Sequence, residues 1–172
     1  MTNEFYQTRE EHIYAIGDVI GKKQLAHAAS HEGIKAVEHM VGERPFPLQD
    51  ENIPICIYTH PEIASVGLTE QEAEAQNIKI KVGKFPFTAN GRALIKNEAG
   101  GFVKIIENEN TNDLLGVHMI GPGVTDLIAE ASLAKTMDAT PWEWTQAVHP
   151  HPSLSETIWE AALAVNKQQI HM

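Results

Sequence analysis

Cysteine is almost absent from the chain, and long apolar runs are missing altogether. Cys56 is the single cysteine among 172 residues, so neither an intramolecular disulfide nor a cysteine-based zinc cluster can form. No apolar run reaches the roughly 18 residues that a membrane-spanning helix needs. Residues 1–12 lack the basic start and the apolar stretch of a secretory signal peptide. We therefore expect a cytoplasmic protein that does not insert into a membrane.

Positive charge is also scarce. The chain has 13 Lys and Arg against 23 Asp and Glu, which gives a net charge of −10 at pH 7. Such a surface repels nucleic acids and anionic membranes, so neither is an expected partner. A basic protein partner remains open, as does the simpler interpretation that the charge only keeps the chain in solution. Apolar residues make up 42% of the chain, which is enough for an ordinary hydrophobic core.

A phosphate-binding glycine motif is missing as well. Gly121-Pro122-Gly123 lacks the third glycine of GxGxxG. A weaker nucleotide signal lies near the N-terminus, where the apolar run at 13–16 predicts a buried strand that stops at Gly17-Asp18. An acidic residue at the end of a strand can bind sugar hydroxyls, but most Gly-Asp pairs are only turns. By itself the chain is not expected to bind a dinucleotide firmly.

A proline-rich loop divides the chain. Apolar residues recur at helical spacing over 25–40, and Gly42 can end that helix. The segment 43–54 then contains three prolines, which is typical of a connection. The sequence therefore predicts two units, residues 1–45 and residues 46–172.

The second unit alternates short apolar segments with turns and ends in helical patterns. Strands are predicted at 55–58, 78–82, 92–96, 102–106 and 114–120. Helices are predicted at 69–76, opened by the capping box Thr69-x-x-Glu72, at 124–137, from Pro141 and after Pro152. Because short links join consecutive strands, the sheet should be largely antiparallel. The expected fold class is α+β, with a largely antiparallel sheet flanked by helices.

The densest group of reactive side chains is the octet 149–156, whose sequence is HPHPSLSE. His151 precedes Glu156 by five residues, so this carboxylate can hold one imidazole nitrogen and leave the other free to take a proton. Ser153-x-x-Glu156 is also a capping box, in which the glutamate only satisfies an amide at the helix start. His149-x-His151 is compatible with a zinc site. The residues alone leave these three interpretations open.

A second pair of histidines, His27 and His31, lies four residues apart in the first predicted helix and shares one face. The pair could bind a metal, but no glutamate completes an HExxH pattern. A position at an interface or in solvent is the favoured interpretation, so no metal site is predicted there.

Several motifs in a fixed order resemble a known family. After Thr8 they are 13–18 (IYAIGD), 25–27 (LAH), 61–69 (PEIASVGLT), 85–93 (FPFTANGRA), 115–121 (LGVHMIG) and the octet 149–156. From about residue 13 to the end, the chain resembles the C-terminal part of the dihydrolipoyl dehydrogenase family of flavin-dependent pyridine-nucleotide–disulfide oxidoreductases. The octet is the most specific motif, because it separates lipoamide-type members from the broader family.

The resemblance implies an active site that is built across a dimer. In the family, the histidine five residues before the glutamate is the catalytic base, so His151 would be the base and Glu156 would orient it. His149 and Pro152 would support this pair. The base of one subunit would reach the flavin and the redox disulfide of the other, so a homodimer is expected.

Flavin-binding positions follow from the same resemblance. Asp18 would hold the flavin ribitol. The isoalloxazine ring would meet the backbone of Leu25, Ala26 and His27. Cis peptide bonds are implied at His60-Pro61 and at His151-Pro152.

The family's enzyme also has a flavin domain with GxGxxG, a redox cysteine pair and an NAD domain, and their motifs are missing here. The resemblance therefore implies that residues 1–45 end a FAD-binding domain and that residues 46–172 form a dimerisation domain. The parent enzyme would oxidise dihydrolipoamide with FAD and NAD. This chain alone is expected to hold neither cofactor firmly and to be inactive. Implied partners are the flavin and NAD domains and the acyltransferase core of a 2-oxo acid dehydrogenase complex.

Three alternatives stand beside this function. The chain can be a non-catalytic module for homodimerisation and partner docking. It can also belong to another flavin disulfide reductase of the same family. An unrelated histidine metal protein is the third alternative, and thermal stabilisation by zinc would reveal it.

Overall fold

The computed structural model describes residues 1–171 and divides the chain into two compact units, Met1–Ile53 and Pro54–Met172. The sequence placed this division between residues 45 and 46. The observed division falls at the far end of the proline-rich connection, after a 3-10 turn at Asp50–Asn52. From Pro54 onward the backbone runs directly into the first strand of the second unit.

The first unit is built around helix α1 (Ala26–Met40), which confirms the helix that the periodicity predicts. The strand predicted at 13–16 does not form. Tyr14 makes only an isolated antiparallel bridge to Gln7, and a 3-10 turn follows at Gly17–Ile20. An apolar run specifies a strand only where a neighbouring strand can pair with it, and the described part of this unit supplies just that bridge.

A five-stranded antiparallel sheet forms the second unit, in the order β1-β2-β5-β4-β3. Its strands are β1 (Ile55–Ile57), β2 (Glu62–Gly67), β3 (Ile80–Pro86), β4 (Phe102–Asn108) and β5 (Leu114–Gly121). Strands β4 and β5 pair as the hairpin that the sequence predicts, and β3 pairs with β4. The expected α+β fold with an antiparallel sheet is confirmed.

Two local details differ from the sequence predictions. The strand predicted at 92–96 is helix α3 (Gly91–Ile95), because the side chain of Asn90 caps it by accepting a 2.9 Å hydrogen bond from the Ala93 N–H. Asn97 follows this helix with a left-handed φ of 55°. Strand β2 was not predicted, and it lies between β1 and β5, where it pairs with both.

Helices α4 (Val124–Thr136) and α6 (Glu156–Val165) cover one face of the sheet. The sequence predicts both, as it does α2 (Glu70–Ala75) and α5 (Pro141–Gln146). The capping box of Thr69 and Glu72 is present. Helix α4 packs on β2 and β5, α6 packs on β3 and β4, and α5 packs on α6. In residues 1–171 no helix combines the length and the apolar character that crossing a membrane requires.

Alternate strand residues build the core beneath these helices. Large buried side chains of the strands include Val66, Phe85, Val103, Ile105, Val117 and Met119, and those outside the strands include Phe87, Ile128, Trp144 and Ile158. The register places Val66 opposite Val117 and Val103 opposite Met119, so these side chains share one sheet face. Burial of this layer supplies the main driving force for docking α4 and α6.

Strand β3 and helix α6 approach so closely at Gly83 that no side chain fits there. A Cβ atom on Gly83 would lie 2.1 Å from the carbonyl oxygen of Ala161 and 2.5 Å from the backbone nitrogen of Val165. Both of these are backbone atoms and cannot rotate away. The close approach therefore fixes the position of α6, which begins at Glu156.

We expect Gly83→Ala to lower the free energy of unfolding by about 3 kcal/mol, because the strand or the helix must shift to admit the methyl group. The matched control is Gly100→Ala, since a Cβ at Gly100 has no neighbour within 4 Å. Thermal unfolding followed by circular dichroism should show a Tm that is several degrees lower for Gly83→Ala alone. Equal Tm values for the two variants would contradict the close approach.

Candidate active site

The loop before α6 turns back on the helix and brings His151 against Glu156. The distance from His151 Nδ1 to Glu156 Oε1 is 2.8 Å. The peptide bond at His151-Pro152 is cis, and so is the one at His60-Pro61, as the resemblance implies. The two residues predicted as a catalytic dyad are thus in direct contact.

The second carboxylate oxygen of Glu156 is occupied as well. Oε2 accepts a 2.8 Å hydrogen bond from the backbone N–H of Ser153. The hydroxyl of Ser153 does not complete a reciprocal capping box, because it bonds to the hydroxyl of Ser155 at 2.9 Å. Glu156 therefore accepts from an amide just before the helix start and contacts the imidazole at the same time, so its carboxylate has both kinds of partner that the sequence left open.

Glu156 is charged at neutral pH. Burial raises the pKa of its carboxyl group, but the Ser153 N–H and the His151 imidazole outweigh burial and hold this pKa below its usual value. A charged acceptor at Nδ1 favours the neutral imidazole that carries its proton on Nδ1 and leaves Nε2 unprotonated. The His151 side chain is 79% exposed, so Nε2 is accessible to a reactant.

His149 anchors the other end of the octet. Its Nε2 lies 3.0 Å from Oε1 of Glu130 on helix α4, and only 8% of the His149 side chain is exposed. The hydrogen bond to Glu130 raises the pKa of His149, against the opposing effect of burial. This anchoring fits the supporting role predicted for His149, while Pro152 contributes the cis bond beside His151.

A cleft borders the dyad. Besides His151 and Glu156 it is lined by Phe85, Ala89, Asn90, Gly91, Trp159, Glu160 and His171. The cleft includes a second histidine–carboxylate pair, in which Nδ1 of His171 bonds to Oε1 of the buried Glu160. The other oxygen of Glu160 accepts a 2.9 Å hydrogen bond from the Ile170 N–H.

Sequence reasoning missed several of these groups. Asn90 had a usable signal, since asparagine before a short helix is a typical N-cap. Glu130 and Glu160 had none, because they lie 19 and 11 residues along the chain from the histidines that they contact. Only the packing of the helices shows that these pairs exist.

The positions assigned to the flavin lie in the first unit. Asp18 is exposed in the 3-10 turn that precedes α1, and Gly17 of this turn donates a 2.7 Å hydrogen bond to the buried carboxylate of Glu32. Leu25 precedes α1 in an extended conformation. Its side chain cannot accept a hydrogen bond, so no side chain at this position caps the N–H groups of the first turn of α1. An exposed carboxylate and an uncapped helix start are groups that fit a polar cofactor.

The metal interpretation gains no support from the geometry. Among residues 1–171, no three side chains of His, Cys, Asp or Glu come together in an arrangement that could hold a metal ion. His149 and His151 contact different carboxylates on different helices. His27 and His31 lie exposed on α1.

The fold of the second unit and the family comparison define the class of protein. Residues 53–162 match the family model described as the dimerisation domain of pyridine nucleotide-disulphide oxidoreductases. This match covers more than half of the chain, and the chain therefore belongs to that family.

Within the family, the chain is similar to dihydrolipoyl dehydrogenases. It is 63% identical over 169 residues to a dihydrolipoyl dehydrogenase of Bacillus subtilis (strain 168), covering 98% of this chain and 36% of the relative. Identity to the dihydrolipoyl dehydrogenase of Zymomonas mobilis is 43% over 168 residues, covering 97% of this chain and 36% of the relative. The chain thus spans about a third of the length of the curated relatives it matches.

Solved structures share the fold. LpdA from Mycobacterium tuberculosis superimposes with a TM-score of 0.89 at 31% identity, covering 94% of this chain and 35% of that one. The HOCl-induced flavoprotein disulfide reductase RclA from Escherichia coli has a TM-score of 0.82 at 22% identity, covering 92% of this chain and 37% of that one. At that identity the second likeness shows the fold alone.

The raised pKa of His149 makes stability depend on pH. The His149 imidazole holds its proton more tightly in the folded protein than in the unfolded chain. The stabilisation of the fold by protonated His149 is therefore fully present below the pKa of histidine in the unfolded chain, about 6.5. It is lost as pH rises through the pKa of His149 in the folded protein. We expect Glu130→Gln to cost about 1 kcal/mol at pH 5.5 and much less at pH 9.

Thermal unfolding at both pH values measures this difference. Glu109→Gln is the matched control, because Glu109 is an exposed carboxylate in the β4–β5 hairpin loop. Its Tm should change equally little at both pH values. A loss for Glu130→Gln that is the same at pH 5.5 and at pH 9 would contradict the assignment of the raised pKa to Glu130.

Proposed function

We propose that this dimerisation domain serves a dihydrolipoyl dehydrogenase and that His151 and Glu156 are its acid–base dyad. The observation that carries the proposal is the 2.8 Å hydrogen bond between His151 Nδ1 and Glu156 Oε1. A charged acceptor at Nδ1 favours a proton on Nδ1, which would leave Nε2 free on a ring that is 79% exposed. The proposed base would therefore be oriented by a partly enclosed carboxylate at the start of α6 and be open to a reactant.

The proposed step is removal of a proton from a thiol of dihydrolipoamide. The S–H proton passes to His151 Nε2, and the electron pair stays on sulfur as a thiolate, which is the form that attacks a disulfide. An ordinary imidazole with a pKa near ~6.5 is well matched to a thiol with a pKa near ~8.5. Glu156 then stabilises the imidazolium through the bond that it already makes to Nδ1.

FAD and NAD are proposed as the electron carriers of the parent enzyme, and when bound they accept the electrons of the dithiol. Asp18 would contribute a carboxylate to the flavin ribitol. The backbone of Leu25, Ala26 and His27 would lie beside the flavin ring. The uncapped start of α1 and the exposed position of Asp18 support this assignment. This chain alone is not proposed to hold either cofactor firmly.

Homodimerisation is supported by the family of the second unit and by its exposed apolar side chains. Ile57 pairs with Ile63, on the sheet face opposite the buried Ala64, and the two are 47% and 38% exposed. Ile55 lies on the same face and is 37% exposed. Apolar side chains grouped in this way are typical of a protein interface. The net charge of −10 suits a basic acyltransferase core as a further partner.

Two other functions use the same fold. A non-catalytic docking module would need the dimer but not the His151–Glu156 bond. Another flavin disulfide reductase of the family would use the dyad on a different disulfide. Activity toward lipoamide separates both from the proposed function.

A chimaeric enzyme tests the proposal directly. We would join this chain to the preceding two-thirds of the Bacillus subtilis dihydrolipoyl dehydrogenase, with which it shares 63% identity. NAD reduction that depends on added dihydrolipoamide should be present. His151→Gln should lower kcat at least 100-fold, because general acid–base catalysis contributes about 10²–10⁴-fold.

The matched control is His12→Gln, which removes an exposed histidine outside the octet and should leave activity unchanged. Near-normal activity in His151→Gln would refute the base assignment. An inactive but folded chimaera that binds flavin would argue instead for the docking module.

The mass of the chain in solution tests dimerisation. Light scattering should give twice the 19.0 kDa mass of one chain. We expect this result because grouped apolar side chains on the open sheet face gain from being buried against a second copy. A monomer at all accessible concentrations would show that this chain does not dimerise without the rest of the parent enzyme.

A further inference from the structure

Asn90 links helix α3 to the loop that carries the dyad. It lies directly before α3 and is 4% exposed. Its Oδ1 accepts a hydrogen bond from the Ala93 N–H at 2.9 Å. Its Nδ2 donates to the carbonyl oxygen of Ser153 and to the hydroxyl of Thr157, both at 2.9 Å. Both amide protons and the amide oxygen are therefore used.

These bonds surround Glu156. Ser153 is held through both polar groups of its backbone, since its N–H donates to Glu156 Oε2 at 2.8 Å and its carbonyl accepts from Asn90. Thr157 follows Glu156 directly and is completely buried, so its bond to Asn90 fixes the first turn of α6. Movement of the loop away from α6 would break at least one of these bonds.

A helix cap alone does not require asparagine. Serine, threonine or aspartate would accept the Ala93 N–H equally well. None of these side chains offers two further donors on the same group. What asparagine adds at this position is the pair of bonds to Ser153 and Thr157.

We propose that Asn90 is a positioning residue for the dyad, acting through Ser153 and Thr157 to hold Glu156 against Nδ1 of His151. The inference rests on the proposed function, because it explains how the orienting carboxylate keeps its place. Asn90 lies in the same cleft as the imidazole but acts on it only through these neighbours.

Nitrogen-15 NMR on the full 172-residue chain measures which imidazole tautomer His151 adopts. The spectra are recorded above pH 8, where an ordinary imidazole is neutral. The unchanged protein should show mainly the Nδ1–H form. Asn90→Ser keeps a cap acceptor for α3 and removes both donor bonds. We expect the ratio of Nδ1–H to Nε2–H to fall at least threefold. Thr157→Val removes one of the two bonds and should give a smaller fall in the same direction.

Asn108→Ser is the matched control. The side chain of Asn108 also accepts a backbone N–H, that of Asn110 at 2.9 Å, but in the distant β4–β5 hairpin. This variant should leave the tautomer ratio unchanged. A purely structural role for Asn90 would lower the Tm of Asn90→Ser without moving the ratio, and that result would overturn the inference.

The outcomes separate the two proposals. If the unchanged protein shows the Nε2–H form, Glu156 does not orient His151 and the proposed function loses its basis. If the unchanged protein shows Nδ1–H and folded Asn90→Ser keeps the same ratio, the dyad stands and the role of Asn90 is refuted. If Asn90→Ser fails to fold, Thr157→Val replaces it as the test, since valine matches threonine in shape. A lower ratio of Nδ1–H to Nε2–H in Thr157→Val supports the inference, and an unchanged ratio refutes it.

Discussion

The geometry of the candidate site depends on one carboxylate that serves two groups. Glu156 places Oε1 2.8 Å from His151 Nδ1, and Oε2 accepts the Ser153 N–H at the same distance. A charged carboxylate has acceptor positions for both partners, so neither bond competes with the other. One bond holds the loop just before helix α6, and the other contacts the imidazole. The carboxylate of the first residue of the helix thus connects this loop to the His151 ring.

The place of Glu156 is set by packing far from the imidazole. Gly83 lets β3 lie directly against the backbone of α6, so the helix cannot slide without leaving the sheet. His149 secures the opposite end of the octet to Glu130 on α4. The loop between these two anchors contains Pro150 and Pro152, whose rings restrict its backbone. The exposed side chain of His151 is thus held by packed elements, as the proposed proton transfer would require.

How much of the fold and of the site the sequence predicts depends on how far apart along the chain the interacting residues lie. Helices α1, α4 and α6 and the β4–β5 hairpin follow from local patterns, and the contact of His151 with Glu156 spans only five residues. The strand predicted at 92–96 fails because a cap at Asn90 outweighs an apolar run. The bonds of Asn90 to Ser153 and Thr157 span 63 and 67 residues, and no local pattern encodes them. Such contacts follow only from the order of strands in the sheet and from the helices that pack on it.

The contrast between a largely enclosed carboxylate and an exposed imidazole supports the proposal that the site is completed from outside the chain. An ion pair with an exposed member contributes about 1 kcal/mol or less to stability, because water screens it. The pair of His151 and Glu156, whose side chains are 79% and 22% exposed, therefore adds little to the fold. A purely structural pair would gain from burial of both members, yet here only the orienting side is enclosed. Covering the imidazole with a second protein surface would exclude water and strengthen the hold of Glu156 on the protonated ring. This arrangement favours a base that works at an interface over a pair that only stabilises a loop.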